Sequence, residues 1–414
     1  MVDSQYLSRV RELCQIVEDR LRDIHVRCFD GMEKPLLFIS DTYPGVWLEH
    51  VYDAVFYATL EPAALPEAEH TVNLFMDRQT PEGQLPCYIW DGGTIALPSE
   101  QLTGYGQIQE CVSFTALCLR LYEHNRNHRL LQRAYACGSR WVGWLRRYRM
   151  TTGRGLVEAF CGYDTGHDQS GRLAGLTCPG NYSRNGVLQN AAVLPPNDPV
   201  APILAVDMNA NFYGTLQALS CMADRLGLPE EAADWRRQAA EVKRRLFAYC
   251  YDEKDGFFYD VDKEGNRRRY LSSTVFHLFM EGVLDPREDS QVIRRLYEEH
   301  IKTPKEFWTA YPFPSMAAND PSAAHHAAGN CWGYFTQGLI ALRSTLWMDA
   351  YGYGADLDLL CERWVEAWTT HADRVPFGQE LDPHTGVPSP CSGWYSSSML
   401  FYLYAVRRLG YLKD

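Results

Sequence analysis

The sequence predicts an all-α fold in which antiparallel helix pairs close into a double ring. Two observations indicate this. Apolar residues recur at helical spacing along most of the 414-residue chain, and the connections between helices alternate between short and long. The long connections carry most of the Trp, Asp, Glu and Pro residues, so we expect the functional site at their end of the ring. An open helical solenoid would show a fixed repeat of roughly 30–45 residues, and we find none.

Four segments show the helical periodicity most clearly, and Gly follows the end of several of them, as is typical of helix termini. Their apolar stripes are Phe212, Leu216, Leu219, Ala223 and Leu226; Ala232, Trp235, Ala239, Val242 and Leu246; Leu339, Leu342 and Leu346; and Met399, Leu403 and Val406. One strand signal stands out. Residues 256–261 are predicted to pair with residues 269–271 as a small hairpin across residues 263–266. We expect one catalytic domain over residues 1–414.

Composition and charge exclude several classes of function. The net charge of −12 gives the chain no electrostatic reason to bind nucleic acid or an anionic membrane. We see no signal-peptide pattern at the start and no apolar run of about 18 residues. The 13 scattered cysteines form no Cys-x-x-Cys pair, which predicts a reduced, cytoplasmic protein. The sequence has no dense cluster of Cys and His at the spacing of metal ligands, so we expect no metal and no cofactor. A homo-oligomer is compatible with the sequence.

Aromatic residues are abundant, with 11 Trp and 25 Tyr. Both side chains combine a flat apolar face with a polar edge, which matches the C–H faces and hydroxyl rims of sugars. The same rings could simply fill a large helical core.

Five segments of the long connections combine aromatic, acidic, Gly and Pro residues. They are residues 47–53, 79–86, 163–170, 311–315 with 330–332, and 377–386. In this order they resemble glycoside hydrolase family 63 and its trehalase relatives, a family that includes bacterial hydrolases of mannosylglycerate and glucosylglycerate. The matching motifs are Trp47 with Tyr52-Asp53, Thr165-Gly166-His167-Asp168-Gln169-Ser170, Val206-Asp207-Met208-Asn209-Ala210, Pro312-Phe313-Pro314-Ser315 before Trp332, and Glu380-Leu381-Asp382-Pro383-His384-Thr385-Gly386.

The resemblance implies an (α/α)6 barrel and inverting hydrolysis, with Asp168 as general acid and Glu380 as general base. Such a pair requires one protonated and one ionised carboxyl, roughly 6.5–9.5 Å apart so that a water fits between them. Burial or a like-charged neighbour should raise the pKa of the acid, and Asp164 is one candidate neighbour. Read as ordinary protein residues, Asp168 would cap a helix and Glu380 would be solvated in a turn.

The same motifs and the polar or aromatic residues around them supply the predicted sugar contacts. Several of these residues have an ordinary structural alternative as helix caps or core aromatics, and Arg172 could either anchor the acid's loop or bind an anionic aglycone. The predicted substrate-binding residues are Trp47, Tyr52, Asp53, Gln109, Glu110, Tyr163, Asp164, Gly166, Arg172, Asp207, Asn209, Asn330, Trp332, Gln379, Trp394 and Tyr395.

The chain departs from the family pattern at two positions. Gly329-Asn330-Cys331 stands where an Arg-Gly-Pro stretch is expected, and Leu381 replaces an aromatic residue after the base. Both positions are expected to contact sugar, so the family's substrates do not transfer automatically to this chain.

The sequence thus predicts an inverting, exo-acting hydrolase of a small α-glucoside or α-mannoside, such as a disaccharide or a glycosylglycerate. Two alternatives stay open. One is a sugar isomerase of the N-acylglucosamine 2-epimerase type, which would use the histidines His50, His167, His325 and His326. The other is a carbohydrate-binding helical toroid without catalytic activity.

Overall fold

The computed structural model describes residues 3–29, 31–43, 45–90, 103–109, 111–168, 170–176, 190–324, 332–374 and 376–412. Twelve α-helices lie in these ranges. They are Ser4–Arg20 (α1), Val51–Leu60 (α2), Leu65–Asp77 (α3), Phe114–Asn125 (α4), His128–Tyr148 (α5), Val206–Arg225 (α6), Pro229–Tyr249 (α7), Phe276–Met280 (α8), Ser290–Leu296 (α9), Gly338–Ser344 (α10), Gly354–His371 (α11) and Ser396–Arg408 (α12).

The helices form two concentric rings. Each even-numbered helix contacts the next, and α12 returns to α2, so six inner helices close a barrel. Helices α1, α3, α5, α7 and α11 pack on the outside of these inner helices. Burial separates the two rings clearly: 16 of the 20 residues of α6 are buried, whereas 4 of the 21 residues of α7 are buried. The predicted double ring of helices is confirmed as an (α/α)6 barrel.

Helix boundaries follow local capping chemistry. The Ser113 hydroxyl accepts a hydrogen bond from the backbone N–H of Ala116 at the start of α4. The Asn127 side chain accepts from the second and third residues after it, which starts α5 directly after α4. Helix α4 ends at Arg126, whose φ of 54° breaks the helical path. No helix in the described ranges is long and apolar enough to cross a membrane.

Short strands join the connections into five small sheets. The strands are Val26–Arg27 (β1), Leu36–Leu37 (β2), Gly45–Trp47 (β3), Tyr88–Trp90 (β4), Thr103–Gly104 (β5), Glu158–Ala159 (β6), Ile203–Leu204 (β7), Tyr251–Asp252 (β8), Phe257–Phe258 (β9), Asp260–Val261 (β10), Arg267–Arg268 (β11), Thr336–Gln337 (β12) and Glu380–Leu381 (β13). The sheet orders are β1-β2, β3-β4-β5, β11-β10-β7-β6, β8-β9 and β12-β13.

The predicted hairpin across residues 263–266 exists, but its register was wrong. Strand β10 pairs with β11 at residues 267–268 and not with residues 269–271. Strand β9 pairs with β8 instead, because the chain already turns back between Asp252 and Phe257. Two consecutive turns therefore divide the segment that the sequence suggested was one strand. On its other side β10 pairs with β7, which leads into α6.

A buried ionic network fixes the point where α6 begins. The Arg172 side chain, 1% exposed, donates to Asp260 Oδ2 at 2.7 Å and to Asp207 Oδ2 at 2.6 Å. The other oxygen of Asp260 accepts the backbone N–H of Val206 at 2.8 Å. One arginine therefore joins α6, β10 and the loop that contains residues 163–173.

Replacing Arg172 by Met should lower the free energy of unfolding by about 3–5 kcal/mol, because two buried carboxylates lose their cation. Urea unfolding followed by circular dichroism measures this change. The matched control is Arg237→Met, whose exposed ion pair with Asp234 should contribute less than about 1 kcal/mol. A loss in Arg172→Met no larger than in the control would contradict the assigned role.

Candidate active site

Glu380 lies in strand β13 with its side chain fully buried. Pairing of β13 with β12 sets Gln337 directly opposite Glu380. The Gln337 amide donates to Oε1 at 2.9 Å, and the Ser389 hydroxyl donates to Oε2 at 2.9 Å. An ionised carboxylate is an acceptor only, so both donors suit that form. The sheet and these two bonds hold the carboxylate in one orientation.

Asp168 lies in a loop of residues 163–170, called the acid loop here, and is partly exposed. Gly166 has a φ of +70°, a left-handed conformation that favours glycine. Next to the acid, the His167 ring stacks on Trp332 at 4.2 Å between ring centroids. The backbone N–H of Trp332 donates to the carbonyl of Asp168 at 3.4 Å. The acid loop is therefore held from one side by Trp332.

One chain segment connects the two predicted catalytic residues. It begins at Trp332, bonded to the backbone of Asp168, and reaches Gln337, bonded to Glu380, five residues later. Within this segment, the carbonyl of Phe335 accepts a hydrogen bond from the backbone N–H of Ser315 at 3.0 Å, which ties the segment to the chain around residue 315. Asp168 and Glu380 consequently lie at the same end of the barrel, where the inner helices α10 and α12 begin. The separation of their carboxyl groups stays a prediction.

Asp164 has a different role from the one predicted. Its buried carboxylate accepts from Arg149 at 2.6 and 3.2 Å and from the backbone N–H groups of Phe160, Cys161 and Ile108. Burial alone would raise the pKa of Asp164, but Arg149 and these N–H groups hold it below its usual value. Asp164 is saturated with protein partners and anchors the start of the acid loop.

Arg172 and Asp207 anchor the other end of the loop. Both Asp207 and Asp260 bind the buried Arg172 guanidinium, which is the arrangement expected of an anchor for the loop. Burial raises the pKa of Asp207 to about 6, against the opposing effect of Arg172. The Asn209 side chain bonds both backbone groups of Val157 at 2.7 and 2.9 Å. Asn209 thus fixes the backbone beside β6, where the sequence suggested a sugar contact.

Residues 47–50 form a wall beside the acid loop, where a Cβ at Gly166 would meet Glu49 Oε2 at 2.7 Å. Trp47 is partly exposed and packs against Tyr43, Tyr88 and Trp90, with ring centroids 5.0–5.9 Å away. It keeps the exposure that sugar stacking requires. Tyr163, on the acid loop, is also partly exposed.

Glu49 and His50 follow Trp47 and are both buried. The His50 ring bonds the Tyr395 hydroxyl at 2.6 Å, which attaches this wall to the start of α12. Cys111 Sγ donates to Glu49 Oε2 at 3.4 Å, and Arg343 Nη2 lies 4.0 Å from the same oxygen. Burial raises the pKa of Glu49 to about 7, against the opposing effect of Arg343.

Two predicted sugar contacts in α2 are instead internal. Asp53 is fully buried and accepts from the hydroxyls of Ser396 and Ser397 at 2.5 and 2.7 Å. Burial raises the pKa of Asp53 to about 6. The Tyr52 hydroxyl faces the Leu342 carbonyl and Thr345 at 3.4 Å. Asp53 thus joins α2 to α12, and Tyr52 joins α2 to α10.

Three aromatic residues predicted near the sugar pack against other side chains; Trp332 and Tyr395 are buried, and Trp394 is partly exposed. Trp332 is 1% exposed and stacks on His167. Trp394 lies between Phe377, 5.7 Å away on a near-parallel plane, and the Arg20 guanidinium, 4.3 Å from the ring centroid. Tyr395 is 1% exposed and is held by His50. Their rings support the walls of the site.

Backbone strain is concentrated around the site. Gln109, Phe377, Ser392 and Trp394 are four of the described non-glycine residues with positive φ, between 34° and 54°. Strained backbone of this kind persists where the surroundings enforce it, commonly at functional sites. Gln109 is buried and its Oε1 accepts no hydrogen bond among the described residues, which makes it a candidate for binding a donor from a ligand.

Of the remaining predicted positions, Gln379 lies within the described residues and Glu110 and Asn330 lie outside them. Gln379 is buried, and its backbone N–H donates to the carbonyl of Cys391 at 3.3 Å beside the base. Leu381, the departure after the base, is fully buried. Glu110 and Asn330 lie outside the described residues, as do His325 and His326.

The three described histidines at the site, His50, His167 and His277, are buried. Burial lowers the pKa of His50 and of His167 well below the usual value, so both are neutral near pH 7. His277 behaves in the same way and bonds the Asn211 side chain at 3.1 Å. None of these three rings is poised as an exposed acid or base.

Comparison with known families identifies the chain. The model of the mannosylglycerate hydrolase MGH1-like glycoside hydrolase domain matches residues 52–398. The chain belongs to this family. The resemblance to glycoside hydrolase family 63 is thereby confirmed, and so is the expectation that the chain is a glycosidase.

Solved structures of other proteins share the fold. Mannosylglycerate hydrolase of Thermus thermophilus in complex with glucose superposes with a TM-score of 0.68 at 18% identity, covering 96% of this chain and 98% of the other. Neutral trehalase Nth1 of Saccharomyces cerevisiae superposes with a TM-score of 0.67 at 14% identity, covering 91% and 74%.

Curated relatives match over shorter stretches. A trehalase of Bombyx mori is 31% identical over 101 residues, which is 23% of this chain and 17% of that protein. A protein of Borreliella burgdorferi is 23% identical over 131 residues, 32% of this chain and 27% of the relative. The matched region thus spans about a quarter or less of these relatives.

Two residues at the site escaped the sequence reasoning. Glu49 lies between Leu48 and His50 just before α2, whereas Asp53 attracted attention because it interrupts the apolar run of the helix itself. Arg343 is a charged residue in the otherwise apolar α10, which is the same kind of signal. Its guanidinium faces the backbone carbonyls of Cys111 and Glu49 at 3.5 and 3.4 Å.

Substitution of Gly166 by Ala should lower turnover at least tenfold. A Cβ there would approach Glu49 Oε2 to 2.7 Å and Cys111 Sγ to 2.9 Å, so the acid loop must move. The matched control is Gly153→Ala, which has a similar φ of +72° but nothing within 4 Å of its Cβ. Both variants should lose about 1 kcal/mol of stability from the backbone, measured by thermal unfolding. Equal turnover in the two variants, measured as monosaccharide release, would contradict the assigned packing.

Proposed function

We propose that this chain is an inverting, exo-acting hydrolase of a small α-glucoside or α-mannoside, with Asp168 as general acid and Glu380 as general base. The observation that carries the proposal is that residues 332–337 bond both of them: the backbone N–H of Trp332 donates to the carbonyl of Asp168, and the Gln337 side chain donates to the carboxylate of Glu380. We further propose that residues 1–414 act as one catalytic domain.

The two carboxyl groups have contrasting surroundings, which supports different roles. Asp168 lies on a loop and is partly exposed, as a group that must reach a leaving oxygen requires. Glu380 is fully buried and receives two hydrogen bonds that suit an ionised carboxylate. Hydrogen bonds to the charged form favour ionisation, so the two donors support the base role proposed for Glu380, and its burial is the opposing effect that they must overcome.

The proposed reaction uses water and no cofactor. Asp168 donates its proton to the glycosidic oxygen as the bond from that oxygen to the anomeric carbon breaks. Glu380 takes a proton from a water molecule whose oxygen bonds the anomeric carbon from the opposite face. The sugar leaves with inverted configuration, and the carboxyl groups exchange protons with solvent before the next cycle. Trp47 and Tyr163 are proposed to contact the sugar, with Gln109 as a hydrogen-bond acceptor.

The candidate substrates follow from the relatives. Mannosylglycerate is the substrate in the name of the matching family and of the Thermus thermophilus structure, and trehalase is the name of two further relatives. We propose mannosylglycerate, glucosylglycerate and trehalose as the first compounds to test, in a cytoplasmic setting. Family membership favours hydrolysis over epimerisation, and product analysis separates them because only hydrolysis releases two molecules.

Asp168→Asn and Glu380→Gln should each reduce hydrolysis of the preferred compound by at least a thousandfold, because each removes one of the two proton transfers. Monosaccharide release is the measurement, and circular dichroism checks the fold. Glu264→Gln, in the exposed hairpin turn, is the control and should keep full activity. If both site variants kept turnover near that of the control, the assignment would be wrong.

The first product formed should have the anomeric configuration opposite to that of the substrate. Proton NMR spectra recorded within the first minutes of hydrolysis distinguish a new β-anomer from a retained α-anomer before mutarotation mixes them. Initial release of the α-anomer would exclude the inverting mechanism while leaving the enzyme a glycosidase.

A further inference from the structure

A pocket at the end of α2 combines three carboxylates with apolar walls. It lies where α1 and α2 end and α3 begins, and it is called the α2-end pocket here. We propose that this pocket binds a small alkylammonium ion, such as a linear diamine. Its lining includes Glu18, Val26, Tyr57, Glu61, Ala63 and Glu67.

The α2-end pocket is separate from the proposed active site. Residues 47–50 lie beside the acid loop and precede α2, whereas Tyr57 and Glu61 lie at the other end of this helix. The ten residues of α2 span about 15 Å at a rise of 1.5 Å per residue. The inference therefore does not depend on the roles proposed for Asp168 and Glu380, and either proposal can fail without the other.

The α2-end pocket carries more negative than positive charge. Glu18 and Glu61 share one cation, because Arg407 Nη2 lies 3.0 Å from Glu18 Oε1 and also bonds Glu61. The exposed Arg22, which also lines the pocket, forms ion pairs with two nearby aspartates. Glu67 adds a third carboxylate. A cation that enters the pocket is therefore attracted, whereas an anion is repelled.

Two polar groups of the pocket have no hydrogen-bond partner among the described residues. Glu67 Oε2 is buried and accepts no hydrogen bond. Tyr57 is 7% exposed, and its hydroxyl group bonds none of the described residues. This phenol lies among the carboxylates, since burial raises its pKa to about 12 and the charges of Glu61 and Glu67 add to that effect. Because buried polar groups are almost always satisfied, these two oxygens indicate a ligand that donates hydrogen bonds.

An ammonium group matches this set of acceptors. It is positively charged, carries three N–H donors and has no acceptor of its own. A bare metal ion matches less well, because no three His, Cys, Asp or Glu side chains of the described residues are placed to hold one. A positively charged group with N–H donors therefore fits the polar side of the pocket.

The rest of the ligand is defined by the apolar walls and the size of the pocket. The Tyr57 ring and the side chains of Val26 and Ala63 provide apolar surface, which favours an alkyl chain. The pocket volume of about 210 Å³ lies below the roughly 300–1,000 Å³ of sites for drug-sized ligands. A short alkyl chain with an ammonium group meets both conditions.

Isothermal titration calorimetry with putrescine at low ionic strength tests the site without any glycoside. We expect one putrescine bound per chain and no binding of 1,4-butanediol, which has the same carbon chain without charge. Glu67→Gln should weaken putrescine binding at least fivefold, because a charge-assisted hydrogen bond is lost. Tyr57→Phe removes a single hydroxyl group and should weaken binding about two- to threefold. Binding of butanediol as tight as that of putrescine would overturn the proposal.

Two control variants separate the α2-end pocket from other ways of binding an amine. Glu264→Gln, in the exposed hairpin turn, removes the same charge elsewhere and should leave the affinity for putrescine within a factor of about two. Glu380→Gln changes the proposed active site and should leave the affinity equally unchanged. Equal weakening in Glu67→Gln and Glu264→Gln would mean general attraction to an acidic protein and would overturn the proposal. Loss of binding in Glu380→Gln alone would place the amine in the active site and would also overturn it.

Ala63→Phe keeps the proposal testable if Glu67→Gln does not fold. Ala63 is exposed, so the chain should tolerate the larger side chain, which should fill the pocket and abolish putrescine binding. Thermal unfolding is a second readout, because a ligand that binds only the folded chain raises Tm. Putrescine should raise the Tm of the wild type and of Glu264→Gln but not that of Ala63→Phe. Unchanged affinity in folded Ala63→Phe, or no binding to the wild type at about 10 mM putrescine, overturns the proposal.

Discussion

The geometry of the site depends on two buried arginines that hold the ends of the acid loop. Arg149 binds Asp164 at the beginning of the loop, and Arg172 joins Asp207 and Asp260 at its end. Removing such charges from water is costly, so buried ion pairs contribute less to net stability than to a unique arrangement of the groups that they connect. Here they fix the segment that carries Asp168 to the end of α5, to α6 and to β10.

The proposed base has different surroundings. Glu380 belongs to a two-stranded sheet, and among the described residues the Gln337 amide and the Ser389 hydroxyl donate to its carboxylate. A neighbouring cation would stabilise the charged form and weaken it as a proton acceptor. Neutral donors orient the group at a smaller cost in basicity, which is what a residue that must remove a proton from water requires.

The sequence predicted the helices well and the side-chain partnerships poorly. Apolar periodicity reports which face of a segment is buried, and so the stripes of α6, α7 and α12 and the ring of helix pairs followed from it. Partnerships join residues that are far apart in the chain: Asp53 pairs with Ser396 and Ser397, and Arg149 closes on Asp164 only because the chain folds back. Periodicity carries no information about such contacts. The hairpin register failed for a related reason, since the chain reverses between Asp252 and Phe257, within the stretch that appeared to be continuous.

Motif order carried the family resemblance, and with it the proposed acid and base, because a short segment keeps its residue types wherever the fold places it. It did not distinguish residues that face the cavity from those that support its walls. Trp332 and Trp394 have the composition of sugar platforms, but stacking on His167 and on Phe377 and Arg20 occupies their faces. Conversely, Glu49 and Arg343 are buried ionisable residues that the sequence did not single out as site residues. An ionisable residue that is buried must find a partner inside the protein or give up its charge. Arg343 lies 4.0 Å from Glu49 Oε2, and burial raises the pKa of Glu49 to about 7 against the opposing effect of that arginine. This partner lies 294 residues away along the chain, which is why the sequence around Glu49 did not predict its surroundings.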